Sequence, residues 1–463
     1  MRVLVLSDTF PPYNLGGAGE VAHLVSQRLA ERGHEVLVVA GVARSGQAGR
    51  ERRWGLSIRR VWAPASAALR LHLSVVHPLA VAQVARIARA FRPDIVHAHN
   101  LHERLSFTSL AAARVAGAPV VLTAHDYLLF CLTKFLCSRG DVSYHTTPAA
   151  CPHCRHIQRV PRRNAAVHAL VRRNVGAIAC ISRAQRTALA VNGYADVPLD
   201  VIYNGLDPLP KSKGASAGDG AAGNAGSNRP RGEAALQGDW AAFRAQFGLD
   251  ERPLVLFGGR ISGAKGGDQL LRAVAYARGR VDCQLAILGD RQAYFDHARR
   301  LATEVELDQG ALRTLGWLEQ LDLERAFAAA GVCATPSVYP DPFNLMTLRA
   351  MAHGKPVVGT CYGGTPEIVV DGETGFVADP WQPEQFGDRL ADLLLNRDLA
   401  RRMGEAGRAR MESTFTLDKQ IDAYERLYTR VRTGAALDAP RPGSQDVSAR
   451  QVSPPAAHVE SLT

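Results

Sequence analysis

Ser337–Glu367 reads SVYPDPFNLMTLRAMAHGKPVVGTCYGGTPE, and its punctuation decides how the chain is built. A Pro/Asp-rich turn delivers Phe343, Asn344 and Leu345 to the start of a helix. Ala350-Met351-Ala352 continue that helix until Gly354 stops it ahead of the apolar run Pro356–Val358. A helix start leaves backbone N–H groups without intrahelical acceptors, so this turn favours an anion.

The same grammar extends toward both termini. Val3–Ser7 reads as a buried strand, Gly16-Gly17 lead into a helix from about Gly19 to Arg32, and Gly33 ends it before a strand Glu35–Val39. Apolar strands recur at Ile95–His97, Pro119–Thr123, Ala177–Ile181 and Leu199–Tyr203, with helical stretches between them. A second series follows at Leu254–Phe257, Gln284–Leu288, Arg313–Leu315, Val332–Thr335 and Pro356–Gly359. The fold class is therefore α/β, with two Rossmann-like, doubly wound domains over residues 1–207 and 241–410. Between them, 208–240 is rich in Gly, Ala, Ser and Asn and reads as a flexible linker. Apolar residues at helical spacing (Ile421, Tyr424, Leu427, Tyr428, Val431) predict a C-terminal helix over 411–432, and 433–463 reads as a disordered tail.

With 463 residues, 46% hydrophobic and 21% charged, the chain is long enough for two sizeable cores. No run approaches 18 apolar residues, so no spanning helix is expected. The start MRVLVLSDTFPPY lacks a small-residue cleavage site and predicts a first strand rather than a secretory signal, which places the protein in the cytoplasm. The net charge of +11 is uneven: residues 1–207 hold 25 Lys/Arg against 12 Asp/Glu, and the remainder holds 30 against 32. Arg52-Arg53, Arg59-Arg60 and the stretch Arg159–Arg173 suit an anionic membrane surface or a phosphate-bearing acceptor, or else form a plain solvated basic face. Nucleic-acid binding is not expected, because no aromatic residues interleave with the basic clusters and no usual binding module is present.

Cys131, Cys137, Cys151 and Cys154, with one C-x2-C pair and neighbouring histidines, offer ligands for a structural zinc; unliganded buried thiols are the alternative. Disulfides are disfavoured in the inferred compartment. Cys180, Cys283, Cys333 and Cys361 lie in or beside strands and read as core.

Several of these turns together resemble family-4 retaining glycosyltransferases, over nearly the whole chain apart from the linker and tail. Asp341 and Arg349 occupy the positions of the family's two donor-site acids, the first held to touch sugar hydroxyls and the second the nucleotide ribose. Arg349 has the opposite charge, and a guanidinium cannot accept a hydroxyl proton. Gly258-Gly259-Arg260 and Lys265 resemble the family's GR-x4-K element, whose cations stabilise the leaving diphosphate without a metal. Gly16 and Gly17 resemble a turn that lets backbone approach that diphosphate, and Gly363-Gly364-Thr365-Pro366-Glu367 resembles a GG-x-PE turn whose amides hold phosphate or sugar. His125-Asp126 resembles the HD element, where His125 meets sugar or acceptor and an imidazole exchanges a proton near neutral pH. Asp126 is an alternative partner orienting that ring. Asp94–Asn100 and Asn204–Asp207 also match. Gly289 and Asp290 close another strand near the base or ribose.

The resemblance implies a GT-B architecture, two domains facing across a cleft, with the C-terminal helix crossing back to the first. It implies transfer of a sugar from a nucleotide-diphosphate sugar to a glycan or lipid-linked acceptor in envelope or exopolysaccharide assembly. His125, Asp341, Arg260 and Lys265 would be catalytic. Gly16, Gly17, Gly289, Asp290, Phe343, Asn344, Leu345, Arg349, Gly364 and Thr365 would bind the donor, with no cofactor needed. Two other classes remain open at this point: a catalytically altered or partner-dependent scaffold, because of Arg349, and a sugar-nucleotide epimerase, which shares the architecture but lacks the HD plus GR-x4-K combination.

Overall fold

The computed structural model describes residues 1–13, 16–64, 69–132, 162–209, 240–259, 263–289 and 292–434. Most of the linker, all but the first two residues of the tail, and Arg260, Asp290, Cys137, Cys151 and Cys154 lie outside the described residues.

The first sheet contains β1 (Arg2–Ser7), β2 (Glu35–Val42), β3 (Gly49–Arg53), β4 (Leu56–Trp62), β5 (Ile95–His99), β6 (Val120–Ala124), β7 (Ala177–Cys180) and β8 (Leu199–Val201), in the order β3-β4-β2-β1-β5-β6-β7-β8. All neighbours are parallel except the β3-β4 hairpin. Alternation assigns the two faces. Leu4 and Leu6 of β1 pack with Val84, Ala88 and Leu110 of the helices Pro78–Phe91 and Thr108–Arg114, while Val3 and Val5 pack with Val21, Val25 and Leu29 of the helix Gly17–Glu31. Both faces are covered, which is why β1 reads as an unbroken apolar run.

The second sheet contains β9 (Leu254–Gly258), β10 (Gln284–Leu288), β11 (Leu312–Gly316), β12 (Val332–Thr335), β13 (Val357–Thr360) and β14 (Gly375–Ala378), in the order β11-β10-β9-β12-β13-β14. In each sheet the strand order reverses beside one strand, β1 in the first and β9 in the second, and a crevice opens beyond the carboxyl end at such a point. Gly16-Gly17 follow β1, and Gly259 and Lys265 follow β9.

Three strands were not expected. β3 (GRERR) carries no apolar side chain and is held at the sheet edge by backbone pairing with β4. Within β4, Arg60 is buried: its guanidinium donates to the carbonyls of Phe10 (3.1 Å) and Pro11 (2.5 Å) and pairs with Glu51 (2.7 Å). Arg163 is likewise inside, donating to the Leu128 carbonyl and lying over the Phe107 ring. The basic stretches are thus not uniformly solvated. β14 is the third.

The stretch Arg70–Phe91 has a mean hydropathy of 1.3, apolar and long enough by composition to cross a membrane, contrary to expectation. It is two helices, Arg70–Val75 and Pro78–Phe91, because Val76 and His77 are extended. The longer piece spans only about 21 Å at 1.5 Å per residue, short of a hydrocarbon core of about 30 Å.

The helix Leu417–Thr433 returns to the first domain, capped by Thr416 Oγ1, which accepts from Lys419 N. Arg28 pairs with Asp207 (2.5 Å) and Asp418 (2.6 Å), and Arg32 with Asp422 (2.5 Å) and Glu425 (2.9 Å). These half-exposed pairs are worth up to about 1 kcal/mol each, whereas burying side chains such as Ile421, Tyr424 and Tyr428 is worth about 1.5–3 kcal/mol apiece, so apolar burial dominates the docking. Leu206 and Thr416 form a bridge, closed by Leu206 N to Phe415 O and Leu417 N to Leu206 O, each 3.0 Å.

Gly266 caps the helix Gly267–Ala277 at φ 73°, where a Cβ would lie 1.8 Å from the Pro336 carbonyl oxygen. Gly266→Ala is expected to destabilise by at least about 2 kcal/mol, from left-handed strain plus displacement of the Pro336 turn. Urea unfolding would reveal this; an unchanged midpoint would contradict the packing.

Candidate functional site

The site forms where the two switch points face each other. In the second domain, β12 runs into the Pro336–Pro342 turn and the helix Leu345–Ala352. Asn344 is its N-cap, accepting from Met346 N at 3.0 Å and so satisfying one of the free donors at the helix start. Asp341 is buried, and its Oδ2 accepts from Lys265 Nζ (2.5 Å), Ser337 Oγ (3.3 Å) and Asn344 Nδ2 (3.4 Å). Two expected catalytic residues are thereby joined in one largely buried ion pair. Lys265 also lies 5.5 Å from the Tyr339 ring centroid.

The Gly363-Gly364 turn is pressed against this segment. Gly363 has φ 68° and a Cβ there would lie 2.3 Å from the Asp341 carbonyl oxygen. Gly364 N donates to that same oxygen at 2.8 Å, so this expected donor-binding amide is already committed within the protein. Thr365 differs: it is fully buried and its Oγ1 has no hydrogen-bond partner. Gly289 N is likewise used, donating to Gly316 O at 3.0 Å. Phe343 does not face the cleft crevice; it packs between Tyr203 and Phe415, with ring centroids 6.0 and 5.9 Å away. Leu345 reaches the first domain, its Cδ1 3.5 Å from where a Cβ on Gly17 would sit. A Cβ on Gly16 would meet nothing within 4 Å, so that turn borders open space.

Arg349 is not a stray charge. Its guanidinium pairs with Glu20, one turn into the helix Gly17–Glu31 of the first domain, and with Glu324 at 3.3 Å. Glu324 also receives His353 Nε2 at 2.5 Å. Burial opposes the charge on Arg349, but the two carboxylates outweigh it and raise its pKa further. Burial likewise pushes Glu324 up, yet the His353 hydrogen bond and the nearby positive charge hold it below the ordinary range. A second carboxylate crosses between the domains: Glu367 accepts from Arg183 N, Ala184 N and Tyr203 OH, each at 2.8 Å, capping the helix Arg183–Leu189.

In the first domain, His125 follows β6, and its Nε2 meets His99 Nδ1 at 2.9 Å. The buried hydrogen-bond chain continues behind it, with His97 Nε2 at 2.7 Å from Thr123 Oγ1 and His97 Nδ1 at 2.6 Å from Tyr428 OH. His99 Nε2 has no partner, so its lone pair belongs there, and His99 Nδ1–H donates to His125. His125 then carries its proton on Nδ1. Burial pushes His125 and His97 down to about 3 and His99 well below its ordinary value, so all three are neutral. This corrects the expectation of proton exchange near neutral pH: His125 is built to hydrogen-bond. His99, rather than Asp126, meets its ring. Asp126 instead holds Asn100 Nδ2 (3.0 Å) and Leu128 N (2.9 Å), while Asn100 Oδ1 accepts from His125 N (3.2 Å). Asp8, at the end of β1, accepts from Glu103, Arg104 and Leu105 N–H and fixes the loop after β5; burial raises its carboxyl to about 6 against those three bonds.

Sequence reading missed Glu20, Glu324, Glu367, Asp8 and the role of His99. Only His99 carried a signal, standing two residues after His97 in a strand whose end faces the cleft. The zinc reading cannot be followed, since of its four cysteines only Cys131, buried in the first core, is described.

Buried neutral histidines acquire protons first in the unfolded chain. Stability present above about pH 6.5 is therefore lost as pH falls toward 3, with a slope approaching about 4 kcal/mol per pH unit for His97, His99 and His125 together. Unfolding midpoints at pH 7 and 5 should differ accordingly, and a flat profile would contradict the neutral assignment. Arg349→Glu would gather three carboxylates around His353. It is expected to destabilise by about 3–5 kcal/mol, measured by urea unfolding at pH 7; equal stability would mean that Glu20 and Glu324 do not depend on the cation.

Residues 16–205 match the model of the glycosyl transferase 4-like domain, and residues 240–410 that of glycosyl transferases group 1. The chain is 33% identical over 204 residues to D-inositol 3-phosphate glycosyltransferase of Segniliparus rotundus, covering 43% of this chain and 45% of that protein. It is 34% identical over 175 residues to the GDP-mannose-dependent alpha-(1-6)-phosphatidylinositol monomannoside mannosyltransferase of Mycolicibacterium smegmatis, covering 36% and 45%. It thus spans about half the length of these curated relatives. The structure of Anabaena HepE in complex with UDP has the same fold, with a TM-score of 0.66 at 21% identity, covering 93% of this chain and 100% of that one. With a model matching each half and the GT-B arrangement of two facing sheets common to both structures, the chain belongs to the group 1, family-4-type glycosyltransferases.

Proposed function

We propose that this protein is a retaining hexosyltransferase. It takes a sugar from a nucleotide-diphosphate donor and delivers it to a glycan or lipid-linked acceptor in envelope or exopolysaccharide assembly, on the cytoplasmic side of the membrane. The observation that carries the reading is the meeting of two helix starts with one lysine: Gly17 opposite Leu345 across the cleft, and Lys265 on Asp341 beside the Asn344 cap.

When the sugar C1–O bond breaks, its electron pair stays on the diphosphate oxygen. Lys265 and the two helix N-termini suit that developing charge. The lone hydroxyl of Thr365 supplies a further donor. Neutral His125, with its proton on Nδ1, suits a sugar hydroxyl or carbonyl-like oxygen rather than proton removal. Arg349 is satisfied by Glu20 and Glu324 and leaves ribose contacts to other groups. The UDP complex of the structural relative and the GDP-mannose dependence in the name of the mycobacterial one support a nucleoside-diphosphate donor, and the latter's lipid acceptor supports a lipid-linked one here.

A panel of UDP-, GDP- and ADP-sugars tested by thermal shift and turnover decides the matter. One donor at 100-fold its Kd should add about 2.7 kcal/mol of stability, and Lys265→Ala should lower turnover by about 100- to 1,000-fold, the loss typical of one removed charge-stabilising donor. Because Lys265 also neutralises Asp341, Lys265→Ala loses stability too; Lys265→Ala/Asp341→Asn should recover stability without recovering turnover. No shift and no turnover with any donor would leave the scaffold reading instead.

A further inference from the structure

Between Glu51 and Asp94 the chain carries eight arginines and no acidic residue. Within this span Trp62, Leu69, Val76 and Leu79 are 40%, 54%, 47% and 48% exposed, although the helices Arg70–Val75 and Pro78–Phe91 are among the most apolar of the chain. They form one rim: Gln83 Nε2 on the Pro78–Phe91 helix donates to both Trp62 O (3.4 Å) and Leu79 O (3.1 Å), and His77, which joins the two helices, meets Pro64 O at 3.0 Å. Arg86 and Arg89, exposed on the longer helix, have no carboxylate in ion-pair range among the described residues.

The rim lies at the reactive end of the sheet. Trp62 ends β4 and His99 ends β5, and both strands run parallel to β1 through the sheet, so their carboxyl ends share one edge with Gly16-Gly17. The rim is also wired to the site. Phe107 N donates to Ser74 O (2.9 Å) and Thr108 Oγ1 to Val75 O (2.6 Å), tying the short helix to the loop that Asp8 fixes and from which His102 faces Asp126 at 3.6 Å.

We propose that this apolar and basic lip seats the protein on an anionic lipid bilayer, with the first domain's half of the cleft opening at the membrane surface. The apolar side chains enter the headgroup boundary while the unneutralised arginines meet lipid phosphates. Pairing of two copies through the same face would set Arg86 and Arg89 against their own images, which favours lipid as the occupant. Spanning is ruled out by the break at Val76-His77. The inference adds a location and an acceptor class to the proposed sugar transfer and rests on that reading only for the acceptor.

The test is flotation of the full chain with phosphatidylcholine vesicles, and with the same vesicles containing phosphatidylglycerol, at low and high salt. Binding is expected only with the anionic vesicles and should weaken with salt. Arg86→Gln and Arg89→Gln should each weaken it about fivefold, the equivalent of about 1 kcal/mol per arginine at the surface. Val76→Ser/Leu79→Ser should weaken it at least tenfold with unchanged circular dichroism. Absence of binding to anionic vesicles, full binding by both sets of variants, or a dimer that the serine variant splits would overturn the proposal. Donor thermal shifts on the same variants separate the two ideas: a persisting shift without vesicle binding defeats only the lip, and vesicle binding without any donor shift defeats only the sugar-transfer reading.

Discussion

The burial of Tyr424 and Tyr428 beneath the first sheet is the interaction on which the rest depends. The helix Leu417–Thr433 belongs in sequence to the second domain but packs its apolar stripe against Val3, Val5 and the helix Gly17–Glu31. Without that docking, only one chain crossing would relate the sheets, and Gly17 would have no fixed position opposite Leu345. The tyrosine hydroxyls then do a second task. Tyr428 reaches His97 and Tyr424 reaches Thr123, so the chain that ends in His125 is braced from behind by the element that joins the domains. Packing and site geometry have one source here, and a buried polar chain of this kind is favourable only while every link is made.

Charge is handled differently on the two sides of the cleft. The first domain keeps its histidines neutral by burial, while the second keeps its ions charged by pairing them. Arg349 shows the second mode most fully, since one guanidinium answers two acids from different domains. An arginine suits this better than a lysine because its planar fork can face two partners at once. The charge that looked anomalous in isolation is ordinary once Glu20 and Glu324 are seen beside it.

Much of the fold was legible because the parallel strands are buried on both faces and so write continuous apolar runs, as in Val3–Ser7 and Gln284–Leu288. β3 was invisible because backbone pairing alone holds GRERR in place. β4 was hidden by Arg59-Arg60, whose charges read as surface although Arg60 finds carbonyls inside. At the site, turns were readable because Gly and Pro announce them, and Asn344 was readable as a cap. Partners were not. Glu20 and Arg349 are 329 residues apart, and Glu367 finds the amides of Arg183 and Ala184 only through tertiary packing. Committed groups, such as the Gly364 amide, are also unreadable, because a motif shows that a donor exists and not whether it is already used.

The Leu206–Thr416 bridge places both chain crossings side by side, and Gly205 is packed so closely there that a Cβ would lie 2.3 Å from Thr416 O. The two halves therefore share one spine, like the boards of a book. Displacement on opening grows with distance from the spine, so a rotation that barely strains Leu206 parts Arg349 from Glu20 and Glu367 from its helix. The work of opening is thus concentrated in a few charged contacts at the rim, where water and salt can compete for each partner as it is released.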